Sequence, residues 1–296
     1  MTRVKKRGGG DALVGIVFLL PYLVLWLLFV VIPVGYGFYI SLHKWNPMGA
    51  SPFVGFDNYT QLFRNSRFLN ALENTFIYAA WAIPLVLVLG LAFALLLKRA
   101  KVRGVAFIEG ALFFPYLLNV SVVGILWNFL LDPNVGIIPY YLRKVGIPAP
   151  DFLNNPALVL PTIAFVSAWW LCGYRMVVFR AGLNAIPDEL YESSSLDGAG
   201  PIRQFFSITL PLMKPSILFA AILTIVAGFC MLGQVLIMTN GGPGTSSEVL
   251  ALFMYRTAFE SFNFGQAAAV GFVLFAIVFV VSMALVRVFG LKSELG

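Results

Sequence analysis

Few side chains in this sequence have types suited to covalent or metal chemistry, and they are not gathered. His43 is the only histidine, beside Lys44 at the end of the first apolar run. A metal site or a nucleophile triad needs more partners than one imidazole, so His43 reads as an interfacial histidine. Cys172 and Cys230 fall inside apolar runs with no partner close in sequence, which suits small buried hydrophobes better than a disulfide. No Gly-Lys dipeptide occurs, which excludes a phosphate-binding P-loop, and HExxH and GxSxG are missing as well. "GGGD" (Gly8–Asp11) follows no strand, lacks the lysine and reads as a flexible tail. The chain is therefore expected to be no enzyme and to hold no metal or cofactor of its own. What stands out instead is a polar stretch, Glu189–Leu212, "ELYESSSLDGAGPIRQFFSITLPL", with acids, glycines and prolines set between long apolar runs.

The elements that position this stretch are membrane spans. Of 296 residues 60% are hydrophobic and 11% charged, 28 of them phenylalanine. Soluble domains run at roughly 45–50% apolar and about 25% charged, so the solvent here is a bilayer. Six charge-free stretches reach or approach the ~20 residues that a transmembrane helix needs. They are Ala12–Val34, Phe76–Leu97, Gly110–Leu131, Ala157–Tyr174, Ser216–Met238 and Gly265–Val286. Lipid offers the backbone no hydrogen-bond partner, so such runs fold as helices, and they lack the alternation of barrel strands. The expectation is an all-α polytopic membrane protein, a single transmembrane domain over 1–296, with helices at 12–34, 76–97, 110–131, 157–179, 216–238 and 265–286 and a loop at 182–215. A cleaved signal peptide has a shorter apolar core than the first run, and Tyr36, Phe38 and Tyr39 follow here, so an uncleaved first helix is expected.

Orientation follows from basic residues in short loops. With the N-terminus in the cytosol, six lie outside: Lys44, Arg64, Arg67, Arg143, Lys144 and Arg256. The other fourteen of twenty fall inside, among them Arg3, Lys5, Lys6 and Arg7 and the cluster Lys98, Arg99, Lys101 and Arg103. Six spans put both termini in the cytosol, and Glu189–Leu212 with them. Topology accounts for the net charge of +7, and no basic face on a soluble domain points to nucleic acid. The span middles hold no Asp, Glu, Lys or His, and Glu109 and Arg175 are expected near cytosolic span ends, where long side chains snorkel to water.

Within the loop, Pro187 suits the first turn of a helix, and Asp188 and Glu189 put negative charge at its positive end. A short helix through "DELYESSSL" aligns Leu190, Ser194 and Asp197 on one face. Gly198 and Gly200 permit a sharp turn, and Pro201 starts a second short helix whose apolar side is Ile202, Phe205 and Phe206. An ordinary amphipathic interfacial loop and a docking element both fit these features.

The segment resembles the signature loop of permease subunits of binding-protein-dependent ABC importers: Glu-Ala-Ala, three residues, Gly, nine residues, Ile, one residue, Leu-Pro. Here Glu192, Ser193 and Ser194 are followed at those spacings by Gly198, Ile208, Leu210 and Pro211, with two serines in place of the alanines. The resemblance covers nearly the whole chain. "FLLPYLVLWLLFVVIPVGYGFYISLHKWN", "FVGFDNYTQLF" and Thr239–Val270, with Gly241–Pro243, are similar to the carbohydrate-type (maltose and glycerol-phosphate) branch. It implies the type I ABC importer permease fold in the cell (inner or plasma) membrane, driven by two separate ATP-binding subunits that hold the ATP and Mg. It further implies a second, different permease chain and an extracytoplasmic substrate-binding protein. Glu192, Ser193, Ser194, Gly198, Ile208, Leu210 and Pro211 would form the coupling contact with the ATPase.

A sugar path needs hydrogen-bonding groups and aromatic faces within the membrane. Asn119, Trp127 and Asn128 in span three, Tyr174 in span four and Gln234 in span five are the candidates. Each also suits plain helix–helix bonding or an interfacial place. Thr239–Ser247 reads as a flexible external turn, with contact to the binding protein and a passive loop both open. The rival function is an ion-coupled secondary transporter acting without an ATPase, which would carry inverted repeats and broken helices not evident in the sequence.

Overall fold

The computed structural model describes residues 9–99 and 104–289. The expectations for Arg3, Lys5, Lys6, Arg7, Gly8, Lys101 and Arg103 lie outside the described residues. Gly9 to Asp11, expected in a tail, already belong to the first helix.

Helix α1 (Gly9–Trp26) passes through a π turn at Leu27–Val31 into α2 (Ile32–Ser41). The short α3 (Asp57–Arg64) precedes α4 (Ser66–Arg99), which absorbs Pro84 without breaking. α5 (Val105–Phe113) ends in a 3₁₀ turn at Phe114–Leu117, and α6 (Val120–Leu131) and α7 (Ile137–Lys144) follow. α8 (Val159–Asn184) leads to α9 (Glu189–Leu196) and α10 (Pro201–Gln204), then through a π turn at Phe205–Thr209 to α11 (Leu210–Leu212). The chain closes with α12 (Lys214–Phe229), α13 (Gly233–Met238), α14 (Leu250–Phe259) and α15 (Phe264–Phe289). Among the described residues there is no β-strand, only an isolated bridge between His43 and Phe53. The all-helical expectation holds.

Four helices, Ile16–Ser41, Ser66–Lys98, Val159–Asn184 and Phe264–Phe289, are long and apolar enough to cross a membrane. Two bent pairs raise the number to six if each is one span: Val105–Leu117 with Val120–Leu131 at 98°, and Pro201–Leu212 with Lys214–Phe229 at 69°. Each pair, taken as one span, is a broken helix, a feature not evident in the sequence. The first break has local causes. Pro115 enters the tight 3₁₀ turn, Asn119 is extended (φ −66°, ψ 146°), and its Oδ1 accepts from Ser121 N–H at 2.9 Å to cap α6. The freed Leu118 carbonyl accepts from Trp170 Nε1 at 3.1 Å, so the bend leaves that group satisfied in an apolar surround. The stretch 216–238 is interrupted too, between Phe229 and Gly233.

Packing centres on α8, thirteen of whose residues are buried, laid along α4. Tyr78 donates to Ser167 Oγ at 2.8 Å across the pair, and Ala71, Ala79, Ala82, Ala94, Ala164 and Ala168 line buried positions. Lipid tails are as apolar as leucine, so small residues and interhelical hydrogen bonds rather than hydrophobicity drive such pairing. The first span is the opposite case: residues 16–36 are exposed, and its α2 end meets α15 through Phe38 against Phe272 at 5.3 Å.

The α5 end of the bent pair is held by Gly173 of α8, where an added Cβ would fall 2.8 Å from Phe113 Cα and overlap the Leu112 carbonyl oxygen. Backbone on both sides leaves nothing to yield. Gly173→Ala is expected to destabilise by ~1–3 kcal/mol, as overpacking does. Gly200→Ala, in open space, serves as control. Thermal unfolding in detergent should show a lower midpoint for the first and little change for the second.

Candidate functional site

The Glu189–Leu212 stretch forms two short helices joined by a tight turn, fixed from inside. Asp188 occupies the N-cap of α9, so Pro187 precedes the helix instead of opening it, and the Pro187 carbonyl accepts from Leu190 N–H at 3.3 Å. Gly198 turns the chain at φ +78°, a left-handed conformation that costs a residue with a Cβ roughly 1–2 kcal/mol. Gln204 Nε2 then bridges the helices, reaching the Tyr191 carbonyl at 3.1 Å, Ser194 Oγ at 3.0 Å and Ser195 Oγ at 2.9 Å. Tyr191 Oη and Thr209 Oγ1 pair at 3.0 Å. The serines in place of alanines cost the helix little, because Ser193 donates to the Leu190 carbonyl and Ser194 to the Tyr191 carbonyl one turn back. Below, Lys98 at the end of α4 donates to the Leu183 carbonyl at 3.0 Å, faces the Tyr191 ring at 4.7 Å and lies 3.8 Å from Asp188. These groups line a cavity of about 230 Å³ under the loop.

The outward face is unlike the inward one. Glu192, Ser193, Gly198 and Pro211 are exposed, Ser194, Ile208 and Leu210 half-buried. Leu196 is 90% exposed, with Ile202 and Phe206 also projecting. Leu196 belongs to no signature position. Its signal was an apolar residue at the tip of a polar helix, just before the glycine turn.

The other end of α4 holds a second constellation. Glu248 is fully buried. Arg67 meets it with Nε on Oε2 at 2.6 Å and Nη2 on Oε1 at 2.7 Å, and Arg256 Nη1 reaches Oε1 at 2.7 Å. Burial pushes the Glu248 carboxyl up, but hydrogen bonds and charge from Arg67 and Arg256 outweigh it and hold the group below the usual carboxylate range. Arg256 also clasps Asn240, and Asn70 and Asn74 donate to the Thr245 carbonyl at 2.9 Å. Ser247 Oγ donates to the Gly242 carbonyl at 2.6 Å. Thr239–Ser247 is therefore a tethered loop, with a cis Gly242–Pro243 bond, and not the flexible turn expected from its composition. The 34 residues of α4 separate this cluster from Lys98 and the signature loop by about 50 Å.

The path candidates divide. Trp127 and Gln234 are buried and Asn128 partly so. Trp127 Nε1, Asn128 Oδ1 and Gln234 Nε2 meet no hydrogen-bond partner among the described residues. Asn128 Nδ2 is held by the Ile237 carbonyl at 3.2 Å. Tyr174 stacks on Tyr116 at 4.9 Å. Asn119 is exposed and spent on its cap. Two other expectations change, those for Arg175 and Cys230. Arg175 does not snorkel: α8 runs on to Asn184, and the residue is 4% exposed with Nε on Thr224 Oγ1 at 2.7 Å. Glu109 pairs with Arg180. Cys172 is buried but Cys230, at the interruption after α12, is exposed.

The family model described as "Binding-protein-dependent transport system inner membrane component" matches residues 53–292. The chain is 34% identical over 281 residues to the probable ABC transporter permease protein YurN of Bacillus subtilis (strain 168), covering 94% of this chain and 96% of that one. It is 35% identical over 264 residues to the sn-glycerol-3-phosphate transport system permease protein UgpA of Rhizobium meliloti (strain 1021), covering 87% and 88%. Its fold matches a chain of the bacterial alginate ABC transporter, crystallised in complex with an alginate pentasaccharide-bound periplasmic protein. The TM-score is 0.79 at 21% identity, over 93% of each chain.

Removing Glu248 would leave two guanidinium groups facing each other without a counter-charge. Glu248→Ala is expected to cost on the order of 3 kcal/mol, the low end for breaking a buried pair, because the half-exposed Arg67 can turn to water. Because the folded carboxyl titrates below its ordinary value, its contribution is intact above about pH 4.3 and fades as pH falls through the lowered folded value. The gap in thermal midpoint between wild type and Glu248→Gln should thus be constant from neutral pH to about 4.3 and shrink below it. A gap that widens on acidification would contradict the assignment.

Proposed function

The chain belongs to the family of binding-protein-dependent transport system inner membrane components, and from that premise we propose that it forms part of the import path for a sugar or polyol phosphate, driven by separate ATPase subunits docked on the 187–211 loop. It is a multi-pass inner-membrane transporter subunit, like its relatives, which are permeases and not enzymes. The substrate class rests on the names of those relatives, the UgpA permease among them. The basic-residue bias of the sequence supports both termini and the 187–211 loop inside, with Thr239–Ser247 outside, where a binding protein delivers solute.

The observation that carries the ATPase reading is the asymmetry of the loop. A polar segment with no need to be rigid is cross-braced by Gln204, Tyr191 and Thr209, while Glu192, Leu196, Ile202 and Phe206 point away from the chain. That combination suits a pre-formed surface for a groove on another protein: apolar anchors at the centre and one charge for register. The seven signature positions Glu192, Ser193, Ser194, Gly198, Ile208, Leu210 and Pro211 build the turn and its base. ATP binding that closes a pair of ATPase subunits would displace the loop, and α8 and α12, continuous with it at either end, would move too. The nucleotide shifts the equilibrium only as far as it favours one state over the other. Trp127, Asn128 and Gln234, with polar atoms unbonded by protein, together with Tyr174, serve the path. Asn119 serves as a cap and drops to the edge of that list.

Two outcomes test this. The tagged chain, pulled from membranes in mild detergent, should bring down a P-loop ATPase and a second, different permease. Glu192→Ala and Gly198→Val, the latter because a β-branched residue resists φ +78°, should lose the ATPase. A chain that comes down alone and still transports when reconstituted would revive the ion-coupled rival. Gln234→Ala should lower uptake while leaving the complex assembled, and normal uptake would remove Gln234 from the path.

A further inference from the structure

Arg175 is a buried cation within a helix long and apolar enough to cross a membrane, with no counter-ion among the described residues. From the 26-residue length of α8, it lies about 14 Å from the Asn184 end and about 24 Å from Val159. If a ~30 Å hydrocarbon layer is centred on that helix, the residue sits about 10 Å within it. Gly90 of α4 lets this part of α8 approach closely, since a Cβ there would fall 2.8 Å from Arg175 Cβ. Thr224 is fully engaged, donating to the Ala220 carbonyl at 2.7 Å while accepting from Arg175 Nε at 2.7 Å. That one bond fixes the guanidinium. Among the described residues no carboxylate lies within ion-pair distance, and the remaining N–H donors find no protein acceptor. The Cζ atom stands 5.0 Å from the Tyr174 ring, itself stacked on Tyr116.

A charge at this depth is expensive unless something comes to meet it. We propose that Arg175 is a specificity residue of the translocation path, recognising an anionic solute. It takes the carboxylate, phosphate or sulfonate group of a sugar or polyol derivative in a bidentate grip, while the Tyr174–Tyr116 pair offers a flat face to the rest of the molecule. This rests on the import reading above and sharpens its substrate class from carbohydrate to anionic carbohydrate. A carboxylate of a neighbouring subunit would need only the cation. The paired phenol rings beside it give a surface that a carbohydrate uses and a lone side-chain carboxylate does not.

The test uses the complete importer, purified with its companion subunits in nanodiscs, with four probes in matched pairs: glucuronate and glucose, glycerol 3-phosphate and glycerol. Thermal unfolding of wild type should shift upward with at least one anionic probe and not with its neutral partner. Arg175→Gln should raise the concentration needed for half the shift by about tenfold or more, the loss of charge-assisted hydrogen bonds. Arg175→Lys, keeping charge but not the planar fork, should fall between. Removing a buried unpaired cation leaves no orphaned partner, so the glutamine variant is expected to fold. No shift with any probe, equal shifts within each pair, or Arg175→Gln responding as wild type would each overturn the inference. Loss of the second permease from Arg175→Gln would also overturn it, by identifying the missing counter-ion as a subunit carboxylate. Failure of an ATPase to co-purify with wild type is read separately and strikes the import reading instead.

Discussion

Where α8 lies along α4, two helices meet in a solvent that does nothing to press them together, and most of the other contacts take their places from that pairing. The contact is made by absence of bulk: Ala82 and Ala94 of α4 and Ala164 of α8 are buried, and Gly90 brings α4 backbone within reach of α8 backbone. One buried hydrogen bond, Tyr78 to Ser167, sets the register, and an unmet hydroxyl in lipid would be costly. Once α8 is fixed, the bend in α5–α6 follows, because Trp170 satisfies the carbonyl that the bend releases and Gly173 accepts the turn against its backbone. The two ends of α4 then hold opposite kinds of structure, a buried charge cluster at Arg67 and a braced surface loop at Lys98.

How much of this a reader of the sequence sees depends on whether the causes are local. The signature loop is legible because its determinants are near neighbours: a glycine where φ is positive, prolines at helix starts, acids at an N-cap. The helices themselves are legible for the same reason, since apolar run length is all that lipid requires. The 98° bend has local causes, since Pro115 followed by an N-cap asparagine is a stop and a start, but a polar residue in an apolar run fits a solute path as well as a cap, and only the structure shows that Asn119 is the cap. A helix over 157–179 sets Arg175 near a cytosolic span end, whereas α8 runs on to Asn184 and buries that charge against Thr224. The Glu248 cluster was out of reach altogether. Arg67 lies 181 residues away in sequence, and one acid among 13 gives no hint that two arginines will enclose it. Nothing in Thr239–Ser247 marks it as rigid, because its rigidity is supplied by Asn70, Asn74 and Arg256 from other helices.

The contrast between the two ends of α4 bears on how motion would pass through the chain. Glu248 is fully buried and gripped by a largely buried Arg256 and a half-exposed Arg67, so pulling the arginines away would leave its charge uncompensated in the interior. That end resists displacement. At the other end the attachments are a few partly buried hydrogen bonds and one long ion pair between Lys98 and Asp188, whose exposed carboxylate makes it a pair that contributes little and rearranges easily. Under the proposed coupling, a push on the loop would be taken up there first and passed along α8 as a rigid body.

Arg175 sits on that line, nine residues along α8 from Asn184 and bonded to Thr224 of α12, the helix that leaves the loop on its far side. The guanidinium thus bridges the two elements that enter and exit the docking surface. If loop displacement moves α8 and α12 unequally, the Nε–Thr224 bond is among the first contacts to feel it, and with it the direction in which the free N–H donors point. A solute group held by those donors would be bound differently in the two positions, and differential binding is what lets a nucleotide-driven change bear on a cargo it never touches.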